Sequence, residues 1–121
     1  MIANIYSIMI YTKPMAYKSE LEALILGALR EGPLHGYRIA LAIREKSEEA
    51  LKMGDNQIYP TLHRLESDGL VVAEWQQQLG KPARKVYSLT ETGNGRLEQH
   101  RKEWQRYAAN FTAVLGGVSH A

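Results

Sequence analysis

DNQIYPTLHRLESDGL, residues 55–70, is the stretch on which the fold turns. Ile58, Leu62 and Leu65 recur at helical spacing, so one face of the segment is apolar. Pro60 sits among them. Proline deletes a backbone donor and crowds the carbonyl four residues back, so a helix interior rejects it. A helix start tolerates it, because the first donors there have no internal partner. Asp55 or Asn56 can be the capping residue; with Asp55, Pro60 falls just past the first turn and costs about one hydrogen bond, and a later start costs less. Asp68-Gly69 then ends the helix near Ser67. The side opposite the apolar triad carries Gln57, Thr61 and Arg64, with Asn56 at its tip and Tyr59, Pro60 and His63 on its flanks.

Upstream, Ser19-Glu20-Leu21-Glu22 has the S-x-x-E form of a capping box, in which the glutamate reaches back to the serine. Leu21, Leu24, Ile25, Ala28 and Leu29 share a face, which predicts a first helix from Ser19 to about Arg30, stopped by Gly32-Pro33. A second helix is predicted from about Gly36 to about Glu49, burying Tyr37, Ile39, Ala40, Leu41 and Ile43. Downstream the pattern changes. Leu70 to Trp75 is rich in strand-forming residues, QQQLGKPA reads as a polar loop, and Lys85 to Leu89 alternates polar and apolar, so the two runs make a hairpin. Thr90 can cap a last helix. In it Leu97, Trp104, Phe111 and Val118 recur every seven residues, with His100, Tyr107 and Val114 three on, which is the seam of a helix that packs along another helix.

Three short helices, a hairpin and a long helix predict an α+β, mostly α fold: a winged helix-turn-helix with a two-stranded wing and a long C-terminal dimerisation helix. Residues 19–90 form the winged-helix domain and residues 91–121 the dimerisation helix and tail. Residues 1–18 form an extension that is apolar up to Tyr11. It lacks the basic start of a signal peptide and is too short to span a bilayer. It is either an added element packed on the body or an upstream extension with Met15 nearer the natural start.

Composition narrows the chemistry. A hydrophobic share of 45% in 121 residues supports one folded domain with a modest core. The absence of cysteine removes disulfides, thiol catalysis and cysteine zinc sites, and fits a reducing cytoplasm. His35, His63, His100 and His120 show neither a metal-binding motif nor close pairing, so no metal is expected, and His35 reads as a turn or capping residue. Ser19, Ser67 and Ser88 lack a base motif, Glu66 and Asp68 read as surface charges, and there is no glycine-rich phosphate loop. No cofactor is expected. An enzyme is the class these absences disfavour.

A net charge of +2 says little about partners, but from Gln76 to Thr90 Lys81, Arg84 and Lys85 stand with no acidic residue among them. In helix-turn-helix proteins the second helix of the motif lies in the major groove with its early residues at the base edges. Asn56 and Gln57 can pair with adenine, Arg64 with guanine, and the Thr61 methyl can meet a thymine methyl. Tyr59 can donate to a phosphate, and Lys81, Arg84 and Lys85 to phosphates or a minor groove. His63 completes this DNA-facing set. The plainer alternative is a wet helix face and a solvated loop, and a winged helix that docks another protein is the competing class. It would show little salt-dependent affinity for DNA. The seam residues Leu97, His100, Trp104, Tyr107, Phe111 and Val114 predict a homodimer. Trp104, Tyr107 and Phe111 are either plain dimer core or the lining of a slot for a planar ligand.

ALILGALREGPLHGYRIALAI, IYPTLHRLESDGLV and GKPARKVYSLTETG together resemble the PadR family of transcriptional regulators, over about Leu21 to Phe111. The single C-terminal helix is similar to its smaller subgroup. The resemblance implies a winged-helix dimer that binds double-stranded DNA, usually represses, and often releases DNA when a phenolic, drug-like or other aromatic effector binds. It implies DNA contacts at Tyr59 with its neighbours and at the wing basics, and a ligand-lining role for Trp104. It also accounts for Pro60, which with Tyr59 belongs to the family's own helix start. Val86, where many members have an aromatic residue, and the N-terminal extension depart from the pattern. The expectation is a cytoplasmic, DNA-binding repressor acting on a near-palindromic operator.

Overall fold

Helix α1 spans Pro14–Ala28 in the computed structural model, which describes residues 14–116, with side chains from residue 20 onward. Helix α2 spans Gly36–Lys46, α3 Asp55–Ser67 and α4 Glu91–Leu115. Three strands, β1 (Leu34–His35), β2 (Val71–Gln78) and β3 (Lys81–Leu89), form an antiparallel sheet in the order β1-β3-β2.

The predicted start of α1 is corrected. Ser19 lies within the helix, which begins at Pro14, so Ser19 is not a cap. Proline is suited to a first helical position, where its missing N–H would have no partner. The boundary drawn between residues 18 and 19 therefore falls inside a helix, while the rest of the extension, residues 1–13, lies outside the described residues. Leu21, Ile25, Leu26 and Ala28 of α1, with Leu29 just past its end, are all buried, which makes it the central helix. Ile39 of α2, Ile58, Leu62 and Leu65 of α3, and Leu70 before β2 close on it. Each such aliphatic burial stabilises the fold by about 1.5–3 kcal/mol.

Helix α2 stops sooner than expected because Glu48 and Glu49 adopt φ of 53° and 72°. Arg44 Nε donates to Glu49 Oε1 at 2.7 Å, and the Leu51 N–H donates to the Ser47 hydroxyl at 2.9 Å, which holds this turn. Tyr37, expected in the core, is exposed. The N-cap of α3 is Gly54, one residue before Asp55, the earlier of the two expected caps, and its N–H donates to Gln57 Oε1 at 3.0 Å. Pro60 is thus one position deeper, within the helix. The helix ends in a Schellman turn, with Gly69 N–H donating to Glu66 O at 3.1 Å and Leu70 N–H to Leu65 O at 2.9 Å. Gly69 sits at φ 76°, the left-handed conformation that this turn requires.

Strands β2 and β3 are longer than predicted. Gln76, Gln77 and Gln78 are strand residues, and only Leu79-Gly80 remains as the turn. The register runs from Val71↔Leu89 through Ala73↔Tyr87 to Gln78↔Lys81, with an irregularity between Gln76 and Gln78. Strand β1 was not predicted: two residues are too few to show a period. It pairs Leu34 with Tyr87 and His35 with Val86, so His35 is at once the end of a strand and the N-cap position of α2, with no side-chain cap bond. Thr90 caps α4 as expected. Its Oγ1 accepts from Gly93 N–H at 2.9 Å and donates to Gly69 O at 2.7 Å, tying the start of α4 to the end of α3.

Candidate nucleic-acid interface

Helix α3 buries Ile58, Thr61, Leu62 and Leu65. Thr61 is 8% exposed, and its hydroxyl donates to the Gln57 carbonyl at 2.7 Å. Its expected place on the outward side is therefore corrected. Thr61 stands three residues after Ile58 and four before Leu65, and that spacing puts it on their face. The outward side carries Asn56, Pro60, His63 and Ser67, with Tyr59 at one edge. Gln57 lies at the other edge, half-buried and used at the Gly54 cap. Arg64 shares that edge and is turned toward the body: its Nη1 lies 3.2 Å from Glu22 Oε1 and 3.7 Å from Asp68 Oδ2. Its guanidinium, expected to read bases, is thus paired within the protomer while its side chain stays 41% exposed.

Tyr59 is held by α2. A Cβ on Gly36 would lie 2.6 Å from Tyr59 Cε1 and 2.8 Å from its hydroxyl, so the ring rests on the bare backbone of that glycine. Tyr59 therefore reaches the surface from a seat that any larger residue would fill.

Lys81 and Arg84 are exposed along the wing, and Arg84 Nε lies 3.4 Å from Gln76 Oε1. Lys85, expected among the DNA-facing cations, is half-buried instead. Its Nζ is 3.3 Å from Glu66 Oε1 and lies over the Tyr87 ring, so it fastens β3 to α3. Arg38, which no sequence pattern singled out, joins the wing cations: burial first, then Arg84 and Arg38, hold the His35 imidazole below its usual range. Burial likewise pushes the Tyr87 phenol up.

The C-terminal helix divides in two. Leu97 and His100, expected at a dimer seam, are buried within the protomer, and Leu97 belongs to the hydrophobic core. Trp104, Tyr107 and Phe111 are 44%, 55% and 53% exposed, and Val114 is more so. Their rings form a ladder: Trp104 meets Tyr107 edge-on at 5.6 Å, and Tyr107 meets Phe111 at 5.1 Å. At the foot of the ladder lies an apolar cavity of about 720 Å³ between α1, α2 and α4, lined among others by Leu24, Ala28, Ile43, Leu97 and Trp104. Val118 lies outside the described residues.

Glu22 of α1, expected to cap its own helix, faces inward and is 5% exposed. Oε1 accepts from Arg64 of α3; Oε2 accepts from Arg96 Nη1 at 2.8 Å and lies 2.6 Å from His100 Nε2, both on α4. Burial pushes this carboxyl up, but the bonds from His100, Arg96 and Arg64 outweigh it and hold the group below the usual glutamate range.

Residues 25–99, from the last turn of α1 to the first third of α4, match the Transcriptional regulator PadR-like family. The chain belongs to that family. It is 38% identical over 96 residues to the transcriptional regulator Rv3488 of Mycobacterium tuberculosis, covering 79% of this chain and 83% of the relative. It is 35% identical over 77 residues to the negative transcriptional regulator PadR of Bacillus subtilis, covering 64% of this chain and 42% of the relative. Among solved structures, Bacillus subtilis PadR in complex with operator DNA superposes with a TM-score of 0.60 at 34% identity, covering 65% of this chain and 45% of that one. A PadR-like transcription factor from Bacteroides fragilis does so at 0.72 and 27% identity, covering 84% and 96%. The winged-helix expectation is thus met, and the PadR-like chain is a transcriptional regulator.

Among the described residues no helix is long and apolar enough to cross a membrane. Two features lay beyond sequence reading. Arg38 joins the wing cations only because β1 brings the start of α2 beside β3, and Glu22 joins α3 to α4 only through packing around α1.

Proposed function

We propose that this chain is a cytoplasmic homodimeric repressor that grips duplex DNA with α3 and the wing. The observation that carries the reading is the outward side of α3, with Asn56, Pro60 and His63 exposed and Tyr59 at its edge, set beside the exposed wing cations Lys81 and Arg84. Asn56 and His63 address base edges in the major groove, Tyr59 and the wing cations address phosphates, and Arg38 extends that charged rim. Thr61, Arg64 and Lys85 support the surface from behind. The likeness to a relative solved in complex with operator DNA supports the same assignment.

The dimer forms through the free half of α4. Exposed aromatic residues in a row mark an interaction surface, and a second copy of the same helix is self-complementary to it. The two α3 helices then enter successive major grooves about 34 Å apart on a near-palindromic operator. A planar aromatic or phenolic effector inserts beside Trp104 and loosens the DNA-bound state through linkage.

Selection of bound sequences from random duplex DNA, followed by salt titration of the winner, tests the reading. A recovered two-fold-related site and affinity that falls steeply with salt are expected. Binding without salt dependence, or none, would favour the protein-docking class. Planar aromatic compounds should quench Trp104, and quenching that survives in Trp104→Ala, where only Trp75 reports, removes the effector slot.

A further inference from the structure

The two halves of the proposed function sit on different helices: DNA contacts on α3, partner and ligand contacts on α4. The Glu22 carboxylate stands between them and gives one oxygen to each. Oε1 takes Arg64 of α3 at 3.2 Å; Oε2 takes Arg96 at 2.8 Å and His100 at 2.6 Å on α4. Glu22 is nearly buried, whereas Arg64 and Arg96 are 41% and 43% exposed, so water screens the two arginines but not the carboxylate between them. A buried carboxylate is costly to strand, so its partners have to move with it.

We propose that Glu22 is a positioning residue that couples α4 to α3: a shift of the partner- or ligand-bearing helix reaches the reading helix as a change in how Glu22 holds Arg64. The inference rests on the reading of α3 as the DNA-contacting helix. The bonds to α4 are the shorter ones, so the carboxylate follows α4. Arg64 has a second acceptor waiting, because the same Nη1 lies 3.7 Å from Asp68 Oδ2 at the end of its own helix. On this reading Arg64, placed between two acceptors, has two arrangements. In one it is anchored to α1 through Glu22, which fixes α3 against the core. In the other it is released to Asp68, which leaves that edge of α3 unbraced. A two-arrangement element whose balance both sites bias is the physical requirement for such coupling.

The test is a double-mutant cycle on the full chain, using the duplex recovered by selection and a random duplex as control. Arg64 and Arg96 each bond a different oxygen of Glu22, so without coupling their effects multiply. Arg96→Ala is expected to weaken binding of the selected duplex by about threefold or more, and to have almost no effect in an Arg64→Ala background. Glu22→Gln is expected to silence Arg96→Ala in the same way. On the random duplex Arg96→Ala should change little, which separates coupling from a lost positive charge. Effects that multiply in a wild type that binds DNA overturn the coupling and leave the DNA reading standing. Absence of any salt-dependent binding by the wild type overturns both. The arginine pair decides the matter even if Glu22→Gln does not fold, since both arginines reach solvent.

Discussion

Replacing Gly36 with alanine places a methyl carbon 2.6 Å from Tyr59 Cε1, 2.8 Å from its hydroxyl and 2.9 Å from Cζ. Carbon atoms rest about 3.5–4.0 Å apart, so the ring has to withdraw by roughly 1 Å. Tyr59 is exposed enough to do this without disturbing the core. The strain of overpacking, about 1–3 kcal/mol, is relieved by that movement and partly offset by alanine's helix preference over glycine, about 1 kcal/mol. Thermal stability should therefore move little. The surface pose of Tyr59 should not survive. If its hydroxyl donates to a phosphate, the loss is that of one hydrogen bond to a charged group, about 1.5–3 kcal/mol, or roughly 12- to 160-fold in Kd. Because the contact is to the backbone, selected and random duplexes should weaken alike. Fluorescence anisotropy with both duplexes measures this, and Tyr59→Phe provides the cycle. Gly36→Ala should weaken binding in the wild type and add little once the hydroxyl is gone. An equal loss in the Tyr59→Phe background would refute the claim that Gly36 acts by seating that hydroxyl.

Thr61→Val should lower stability by about 1 kcal/mol, since a buried hydroxyl loses its bond to the Gln57 carbonyl, and should leave affinity for the selected duplex within about twofold. A large selective loss would return Thr61 to the base-reading set. Gly93→Ala drives a Cβ into the Leu70 carbonyl, so the start of α4 has to lift from the sheet. A cost of about 1–3 kcal/mol and a melting temperature lower by several degrees are expected, and an unchanged melt would contradict the close approach. Glu22 is held below the usual glutamate range, so its contribution to stability is complete above the unfolded pKa, about 4.3, and is lost as pH falls through the lower folded value. Melts recorded across acid pH should flatten in that window in Glu22→Gln. A curve identical to that of the wild type would mean that the carboxylate is not held this way.

Much of the architecture was legible because it rests on period and punctuation. Ile58, Leu62 and Leu65 identified α3, Asp68-Gly69 its end, Thr90 the start of α4, and the alternation after Lys85 the returning strand. Local signals failed where packing outranked them. Ser19 to Glu22 has the form of a cap, but the helix began earlier at Pro14 and Glu22 was drawn into the core by His100, Arg96 and Arg64. The Gln-rich run reads as loop by composition, yet pairing of Gln76 with Arg84 and Gln78 with Lys81 makes it strand. The seam expected along α4 divides: Leu97 and His100 dock on the protomer's own body, whereas Trp104, Tyr107, Phe111 and Val114 are exposed. Of the DNA-facing set, Asn56, Tyr59, His63, Lys81 and Arg84 are exposed, Arg64 is exposed but paired with Glu22, and Thr61 and Lys85 are occupied within the fold.

The central claim is that the Asn56–His63 side of α3 reads base sequence. Anisotropy titrations of Asn56→Ala and His63→Ala against the selected and the random duplex test it most directly. The account predicts a cost on the order of 1–3 kcal/mol on the selected duplex for at least one of them, with affinity for random DNA nearly unchanged. Equal losses on both duplexes, or no loss on either, would contradict it.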